Sequence, residues 1–179
     1  MHAVAEALPP DAVVVDETIS SGGGLRSFLR SDDAKSFFGL RGGGIGWGLP
    51  AALGVRLALP DRPVVGLIGD GSAMYTCQAL WTAAHYRLGV TVVILNNASY
   101  RILKQRIYGM KGLAAQADRY VGLDIEDPRV DYVRLAESMG VRAERIEKTA
   151  DVAPALGRAL AGPGPTLLDV ALDRAFKPV

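Results

Sequence analysis

Two short polar segments, each directly after an apolar run, carry residue types suited to binding a metal ion. GDGS at 69–72 follows the run PVVGLI, and the asparagine pair at 96–97 follows the run TVVIL. Asp70 offers a hard carboxylate oxygen and Asn97 a neutral amide oxygen, both of which Mg²⁺ accepts as ligands. Gly71 can adopt a positive φ and let backbone N–H groups approach an anion such as a phosphate.

Each segment alone also has an ordinary structural explanation. The first can be an Asp-Gly turn with Ser72 as a helix N-cap, and the second an asparagine-rich turn. Their pairing favours a site, because a helix of suitable length separates the two apolar runs. A βαβ unit places the carboxyl ends of such strands side by side, where ligands of α/β sheets bind. Asp70 and Asn97 would then face one pocket, and phosphate oxygens would complete the Mg²⁺ octahedron.

The elements that must position these residues alternate along the whole chain. We predict an α/β fold, a doubly wound and mostly parallel sheet with helices on both faces, forming a single domain over 1–179. Continuous apolar runs predict buried parallel strands, and a weaker alternating run predicts one more; these are 12–15, 63–68, 91–95, 166–172 and, more weakly, 142–146. Helical spacing predicts helices at 49–59, 76–88, 132–139 and 151–160. The irregular, charged stretch 99–131 is interpreted as a functional loop over the site.

Composition excludes several classes of function. Of the 179 residues, 20 are basic and 19 acidic, a balance that gives no reason to expect nucleic acid as a partner. No apolar run reaches the roughly 18 residues that span a membrane, so we expect no membrane partner. One cysteine, Cys77, excludes an internal disulfide and fits a cytoplasmic location. One cysteine and two histidines also exclude a Cys/His zinc site.

The spacing of the two polar segments resembles the signature of thiamine diphosphate (ThDP) dependent enzymes. Residues 72–95, which number 24, separate GDG from the asparagine pair. The resemblance implies a diphosphate-binding domain of the ThDP-binding fold with ThDP and Mg²⁺ as cofactors. It further implies that Asp70, Asn97 and the backbone carbonyl of Ser99 hold Mg²⁺. The cofactor-binding positions that it implies along these segments are Gly69, Gly71, Ser72, Asn97 and Tyr100.

Two upstream segments extend the resemblance. The glycine-rich stretch at 42–50 is similar to the loop whose glycine carbonyl, here that of Gly43, accepts from the 4′-amino group of ThDP. Ile45 then corresponds to the bulky residue that forces the V shape of the cofactor, and it is the catalytic candidate of this chain. In the segment DETIS, Ile19 through its backbone and Ser20 are implied to bind the diphosphate. Glu17 is either a structural loop acid or a site residue.

The resemblance is nearest to benzoylformate decarboxylase and acetolactate synthase-like enzymes. It implies non-oxidative decarboxylation of a 2-keto acid through a C2-thiazolium adduct, by a lyase or a transferase. Arg101 and Arg106 depart from the pattern of benzoylformate decarboxylase, in which small and aromatic residues stand at these positions. Arg106 would suit a substrate with a second anionic group, or else 101–106 is a solvated basic helix face.

The resemblance also implies that this chain holds only part of an active site. In the family, the glutamate that activates ThDP lies in a pyrimidine-binding domain across a subunit interface. That domain and the central domain have no counterpart in this sequence, which predicts a fragment or a split subunit, inactive alone and working within a homo-oligomer. The alternatives are an acetolactate synthase-like carboligase, whose whole enzyme would add FAD, and a non-catalytic binding domain. A generic nucleotide-binding domain is disfavoured, because both nucleotide glycine fingerprints are absent.

Overall fold

The computed structural model describes residues 1–29 and 33–176, which form a doubly wound α/β domain. Six strands form one sheet in the order β2-β1-β3-β4-β6-β5, and every pair is parallel. The predicted fold class is therefore confirmed. The strands are β1 (Val13–Glu17), β2 (Phe37–Gly39), β3 (Val64–Gly69), β4 (Val90–Asn96), β5 (Arg142–Ile146) and β6 (Thr166–Ala171).

Helices cover both faces of this sheet. They are α1 (His2–Ala7), α2 (Leu25–Phe28), α3 (Gly48–Ala58), α4 (Asp70–Ala73), α5 (Ala79–His85), α6 (Arg101–Gly109), α7 (Leu113–Gln116), α8 (Tyr132–Ser138) and α9 (Thr149–Ala161). One buried cluster joins α3, α5 and α8 to the sheet, and a second joins α1, α2 and α9 to the opposite face. Among the described helices none is long and apolar enough to cross a membrane.

The central strands are buried because their side chains alternate between these two clusters. In β3, Val64 and Ile68 belong to the first cluster, while Val65 and Leu67 belong to the second. All seven residues of β4 are buried, as the continuous apolar run predicts. The carboxyl ends of β1, β3 and β4 consequently lie next to one another, and the segments that follow them share one edge of the sheet.

Several elements differ from the sequence prediction. The stretch 99–131 is not a loop throughout, since α6 and α7 lie within it. The helix predicted over 76–88 is shorter and is preceded by the single turn of α4. Strand β2 was not predicted, because three half-buried residues at an edge leave too short a pattern to recognise.

Candidate functional site

Asp70 lies at the carboxyl end of β3, where it begins α4, and is only 2% exposed. Strand register pairs Gly69 with Leu95, so the segments after β3 and β4 begin side by side. Burial raises the pKa of Asp70 to about 6, although backbone N–H groups of Gly71, Ala98 and Ser99 favour the carboxylate. Its Oδ2 atom is buried and has no hydrogen-bond partner within the described part of the chain. An orphaned carboxylate oxygen at this edge is suited to a cation.

The segment after β4 is held in two successive side-chain turns. The N–H of Ala98 donates to Oδ1 of Asn96 at 3.1 Å, and the N–H of Ser99 donates to Oδ1 of Asn97 at 3.0 Å. Ala98 has a φ of 54°, a left-handed conformation that is uncommon for a residue other than glycine. Ser99 forms an antiparallel bridge with Asp124, and the hydrogen bonds of this bridge use the Ala98 carbonyl and the Tyr100 N–H. The Ser99 carbonyl takes no part in them.

Gly71 is needed here for a different reason from the predicted one. Its φ is not positive, because it lies inside the short helix α4. A Cβ added to Gly71 would instead lie 2.6 Å from Cε1 of the Tyr100 ring. Tyr100 and Gly71 are therefore in direct contact, as neighbouring site residues should be. The N-cap interpretation of Ser72 is wrong, since Gly69 occupies the N-cap position and Ser72 is buried within the helix.

The glycine-rich loop is held by the buried carboxylate of Glu17. Oε1 of Glu17 accepts from the N–H of Gly46 at 2.7 Å and of Trp47 at 3.2 Å, and Oε2 accepts from Gly48 at 2.6 Å. These N–H groups lie at the N-terminus of α3, where a negative charge is favourable. Of the two interpretations of Glu17, the structural one is supported directly by these contacts.

The two predicted site residues of the glycine-rich loop, Gly43 and Ile45, come just before the backbone N–H groups that Glu17 binds. Gly43 has a φ of 73°, a conformation that favours glycine, and it is exposed. Ile45 is half-buried and directly precedes Gly46, whose carbonyl accepts from the Thr76 hydroxyl at 2.8 Å. Glu17 and Thr76 thus fix the loop from both sides immediately after Ile45.

Ile19 and Ser20 follow β1, next to β3 in the sheet. Ile19 is 42% exposed and has a φ of 43°, a strained conformation for a β-branched residue. The carboxylate of Asp16 stabilises the preceding turn by accepting from the Thr18 N–H at 3.0 Å and from the Thr18 hydroxyl at 2.7 Å. Strain of this kind is commonly found at ligand-binding turns.

Sequence reasoning missed one residue of this region, Tyr132. Its buried hydroxyl donates to the Asp70 carbonyl at 2.7 Å, and burial raises the pKa of Tyr132 above its ordinary value. Tyr132 begins α8, 62 residues after Asp70, and no spacing or motif in the sequence connects the two. Only the tertiary fold brings this phenol to the turn that begins at Asp70.

Comparison with known proteins identifies the family of this domain. The family described as "Thiamine pyrophosphate enzyme, C-terminal TPP binding domain" matches residues 24–170. The chain belongs to this family. Thiamine pyrophosphate is the same compound as ThDP, so the resemblance drawn from GDGS and the asparagine pair is confirmed at the level of the family and its cofactor.

Individual relatives of this thiamine pyrophosphate domain are enzymes about three times as long. A Mycobacterium tuberculosis protein named "Putative acetolactate synthase large subunit IlvX" is 43% identical over 91% of this chain and 32% of its own length. Benzoylformate decarboxylase of Pseudomonas aeruginosa is 38% identical over 93% of this chain and 30% of its own length. A solved structure of the thiamine diphosphate-dependent 4-hydroxybenzoylformate decarboxylase of Rhodococcus jostii superimposes with a TM-score of 0.88 at 38% identity, covering 98% of this chain and 32% of that one.

The oxygen atoms at the carboxyl edge of this thiamine pyrophosphate domain fit Mg²⁺. No group of three His, Cys, Asp or Glu residues that could hold a metal occurs within the described ranges. A cation beside Asp70 would therefore use one carboxylate with neutral amide and carbonyl oxygens. Such a set suits a hard ion that keeps water and phosphate ligands, and does not suit zinc.

The two arginines that depart from the decarboxylase pattern lie on α6. The Arg101 guanidinium donates to the Asp173 carbonyl and so ties α6 to the segment after β6. Arg106 is exposed. The buried cation of this helix is instead Lys104, which pairs with Asp124 at 2.5 Å.

Proposed function

We propose that this chain supplies the diphosphate- and Mg²⁺-binding half of the active site of a 2-keto acid decarboxylase resembling benzoylformate decarboxylase. The observation that carries the proposal is the orphaned, buried Oδ2 of Asp70 beside the Asn97–Ser99 loop. A buried carboxylate without a cationic partner is costly, and a bound Mg²⁺ would remove that cost. Similarity over nearly the whole chain to two benzoylformate-type decarboxylases supports the reaction class.

Three oxygen ligands of this chain would hold the metal: the Asp70 carboxylate, the Asn97 side chain and the Ser99 carbonyl. The diphosphate would lie against the turns after β1, β3 and β4; the residues at these turns are Ile19, Ser20, Gly69, Gly71, Ser72 and Tyr100. When bound, ThDP would supply the electron sink for the loss of CO₂. Backbone N–H groups at these turns would bind the diphosphate oxygens and exclude water from them.

Ile45 and Gly43 would orient the cofactor. A half-buried, branched side chain on a loop fixed by Glu17 can serve as a rigid apolar wedge. Gly43, with its positive φ, would present a carbonyl to the aminopyrimidine. The proposal further requires a pyrimidine-binding domain or subunit that supplies the activating glutamate, within a homo-oligomer. Tyr75, which is 58% exposed and lies beside Gly46 of the glycine-rich loop, supports burial of this surface by such a partner.

Calorimetric titration of ThDP and Mg²⁺ into the wild-type chain and Asp70→Ala tests the metal site. We expect heat of binding from the wild type and none, or much less, from the variant. Cys77→Ala is a suitable control, since Cys77 lies near α4 but outside the proposed ligand set. Equal heats from the wild type and Asp70→Ala would contradict the assignment of Asp70.

An acetolactate synthase-like carboligase is the second candidate. The 43% identity to a protein named as an acetolactate synthase large subunit favours it. Product analysis of the complete enzyme that contains this domain would separate the two candidates. Aldehyde and CO₂ from an aryl 2-keto acid would support the decarboxylase, whereas acetolactate from pyruvate and a requirement for FAD would support the carboligase.

A further inference from the structure

A buried charge on β6 is connected to the segment after β4 through hydrogen bonds. Asp169 is 3% exposed, and both of its carboxylate oxygens have partners. Oδ1 accepts from Nδ2 of Asn96 at 3.0 Å, and Oδ2 accepts from Nη1 of Arg145 on β5 at 2.5 Å. The Arg145 side chain is 31% exposed, and a partly solvated ion pair of this kind adds little to stability compared with apolar residues of similar size. Its presence in an otherwise apolar strand therefore calls for another explanation.

The Asn96 side chain links Asp169 to the loop after β4 through two hydrogen bonds. Because its amide nitrogen donates to Asp169, its oxygen faces the N–H of Ala98 and accepts from it at 3.1 Å. A flipped amide would lose both bonds. The backbone of Asn96 is fixed as well, since its carbonyl accepts from the Leu172 N–H at 2.8 Å. The side chain of Asn96 thus has one orientation, and Asp169 selects it.

The orientation of Asn96 helps to fix the conformation of Ala98, whose N–H donates to the Asn96 side chain. Ala98 is in a left-handed conformation with a φ of 54°, and such a conformation persists only where surrounding contacts fix it. Asn97 and Ser99, the proposed Mg²⁺ ligands after β4, lie on either side of it. Mg²⁺ demands near-ideal octahedral geometry, so a displaced ligand on this turn weakens binding.

We propose that Asp169, fixed by Arg145 and bound to Asn96, is a positioning residue that sets the geometry of the Asn97–Ser99 loop for Mg²⁺. This inference rests on the proposed function, because it concerns the same metal site. It assigns a role to a residue on β6 that contacts neither metal nor cofactor. Residues bonded to metal ligands at one remove typically change metal affinity by about 10- to 100-fold when they are replaced.

The test uses the full 179-residue chain and the amide resonances of Ala98 and Ser99. Two properties are measured: hydrogen exchange of these amides without ligand, and their shifts during titration with Mg²⁺ at fixed ThDP. In Asp169→Asn we expect faster exchange at both amides and Mg²⁺ affinity that is about 10- to 100-fold weaker. The matched control is Glu144→Gln, which removes the ion pair between Glu144 on β5 and Arg158 on α9 and should leave both properties unchanged.

A second variant separates positioning from stability. Replacing the pair by apolar residues, as Arg145→Met with Asp169→Leu, should leave the chain folded, with a melting temperature lowered only by the unpaired Asn96 amide. The same variant should still show fast exchange at Ala98 and weak Mg²⁺ binding, because Asn96 has lost its acceptor. Wild-type exchange and affinity in this folded variant would overturn the inference.

Asp70→Asn distinguishes failure of the inference from failure of the proposed function. If the wild type binds Mg²⁺–ThDP, Asp70→Asn does not, and the Asp169 variants bind as the wild type does, the inference alone is wrong. If the wild type shows no binding at millimolar ligand, or Asp70→Asn binds equally well, the metal site and the inference are both wrong.

Discussion

Asp70 is a residue whose position opposes stability. It is buried and carries an oxygen without a hydrogen-bond partner among the described residues, and burial raises its pKa to about 6. Natural sites retain such residues where a ligand needs them, and stability is lower as a result. Asp70 therefore permits a prediction in which stability and binding change in opposite directions.

We predict that Asp70→Asn stabilises the metal-free chain near pH 7.5 and abolishes Mg²⁺ binding. The folded state holds the Asp70 proton more tightly than the unfolded state, whose pKa is near 3.8. The contribution of this bound proton to folding stability is fully present below pH 3.8 and is lost as the pH rises through about 6. The variant avoids this loss, which is at most about 3 kcal/mol.

Urea denaturation in the presence of a chelator, at pH 4 and at pH 7.5, measures this difference. The difference in the free energy of unfolding between Asp70→Asn and the wild type should be larger at pH 7.5 than at pH 4. An equal difference at both pH values would show that Asp70 does not titrate as its burial suggests.

In contrast to Asp70, Glu17 stabilises the fold, because its carboxylate accepts hydrogen bonds from three backbone N–H groups. Glu17→Gln keeps the shape but turns an N–H donor towards one of these groups and removes the charge. We expect the free energy of unfolding to fall by about 1.5–3 kcal/mol, the usual contribution of hydrogen bonds to a charged group. Chemical denaturation measures this change, and Glu6→Gln, at an exposed position of α1, should alter the free energy of unfolding by less than about 0.5 kcal/mol.

At the scale of elements, α4 and α6 meet through the contact between Gly71 and Tyr100. A methyl group at position 71 would lie 2.6 Å from the Tyr100 ring. We predict that Gly71→Ala lowers the free energy of unfolding by about 1–3 kcal/mol through overpacking. The double variant with Tyr100→Leu should recover much of this loss, which a double-mutant cycle can measure.

Gly54 within α3 provides the comparison, since a Cβ there would meet nothing within 4 Å. Gly54→Ala should raise the free energy of unfolding by about 0.5–1 kcal/mol, as expected in an exposed helix interior. A similar gain for Gly71→Ala would contradict the close packing of Tyr100 on α4.

The elements also show what a sequence can and cannot predict. The strands around the site were predictable because buried parallel strands read as continuous apolar runs, and the ends of such runs carry Asp70 and Asn97. The helix α6 was predicted only in part, as one interpretation of 101–106, because Gly109, Gly112 and the charges around them resemble a loop. Strand β2 was missed because three residues are too few to show a periodic pattern. Two contacts of the site join residues 29 or more positions apart: that of Glu17 with Gly46–Gly48 and that of Tyr132 with Asp70. Local sequence patterns cannot indicate contacts at such separations.

At the scale of the molecule, the chain spans about a third of the length of the relatives described above. We predict that the isolated chain binds ThDP weakly and does not decarboxylate benzoylformate, because the proposed function assigns the activating glutamate to another domain. Release of CO₂ and benzaldehyde should appear only when a pyrimidine-binding domain is supplied. Robust turnover by the purified chain alone would contradict this prediction.

The bond between Asn96 and Asp169 has a further consequence for the order in which this molecule folds. It joins residues 73 positions apart, and β6, which carries Asp169, pairs with β4 only after the chain between them has been closed into a long loop. Such non-local closure is slow and costs chain entropy before any contact compensates for it. We therefore expect the loop after β4 to reach its final geometry late, after β6 has paired with β4. Any ligand that binds there selects the completed sheet and adds its binding free energy to the stability of the whole domain.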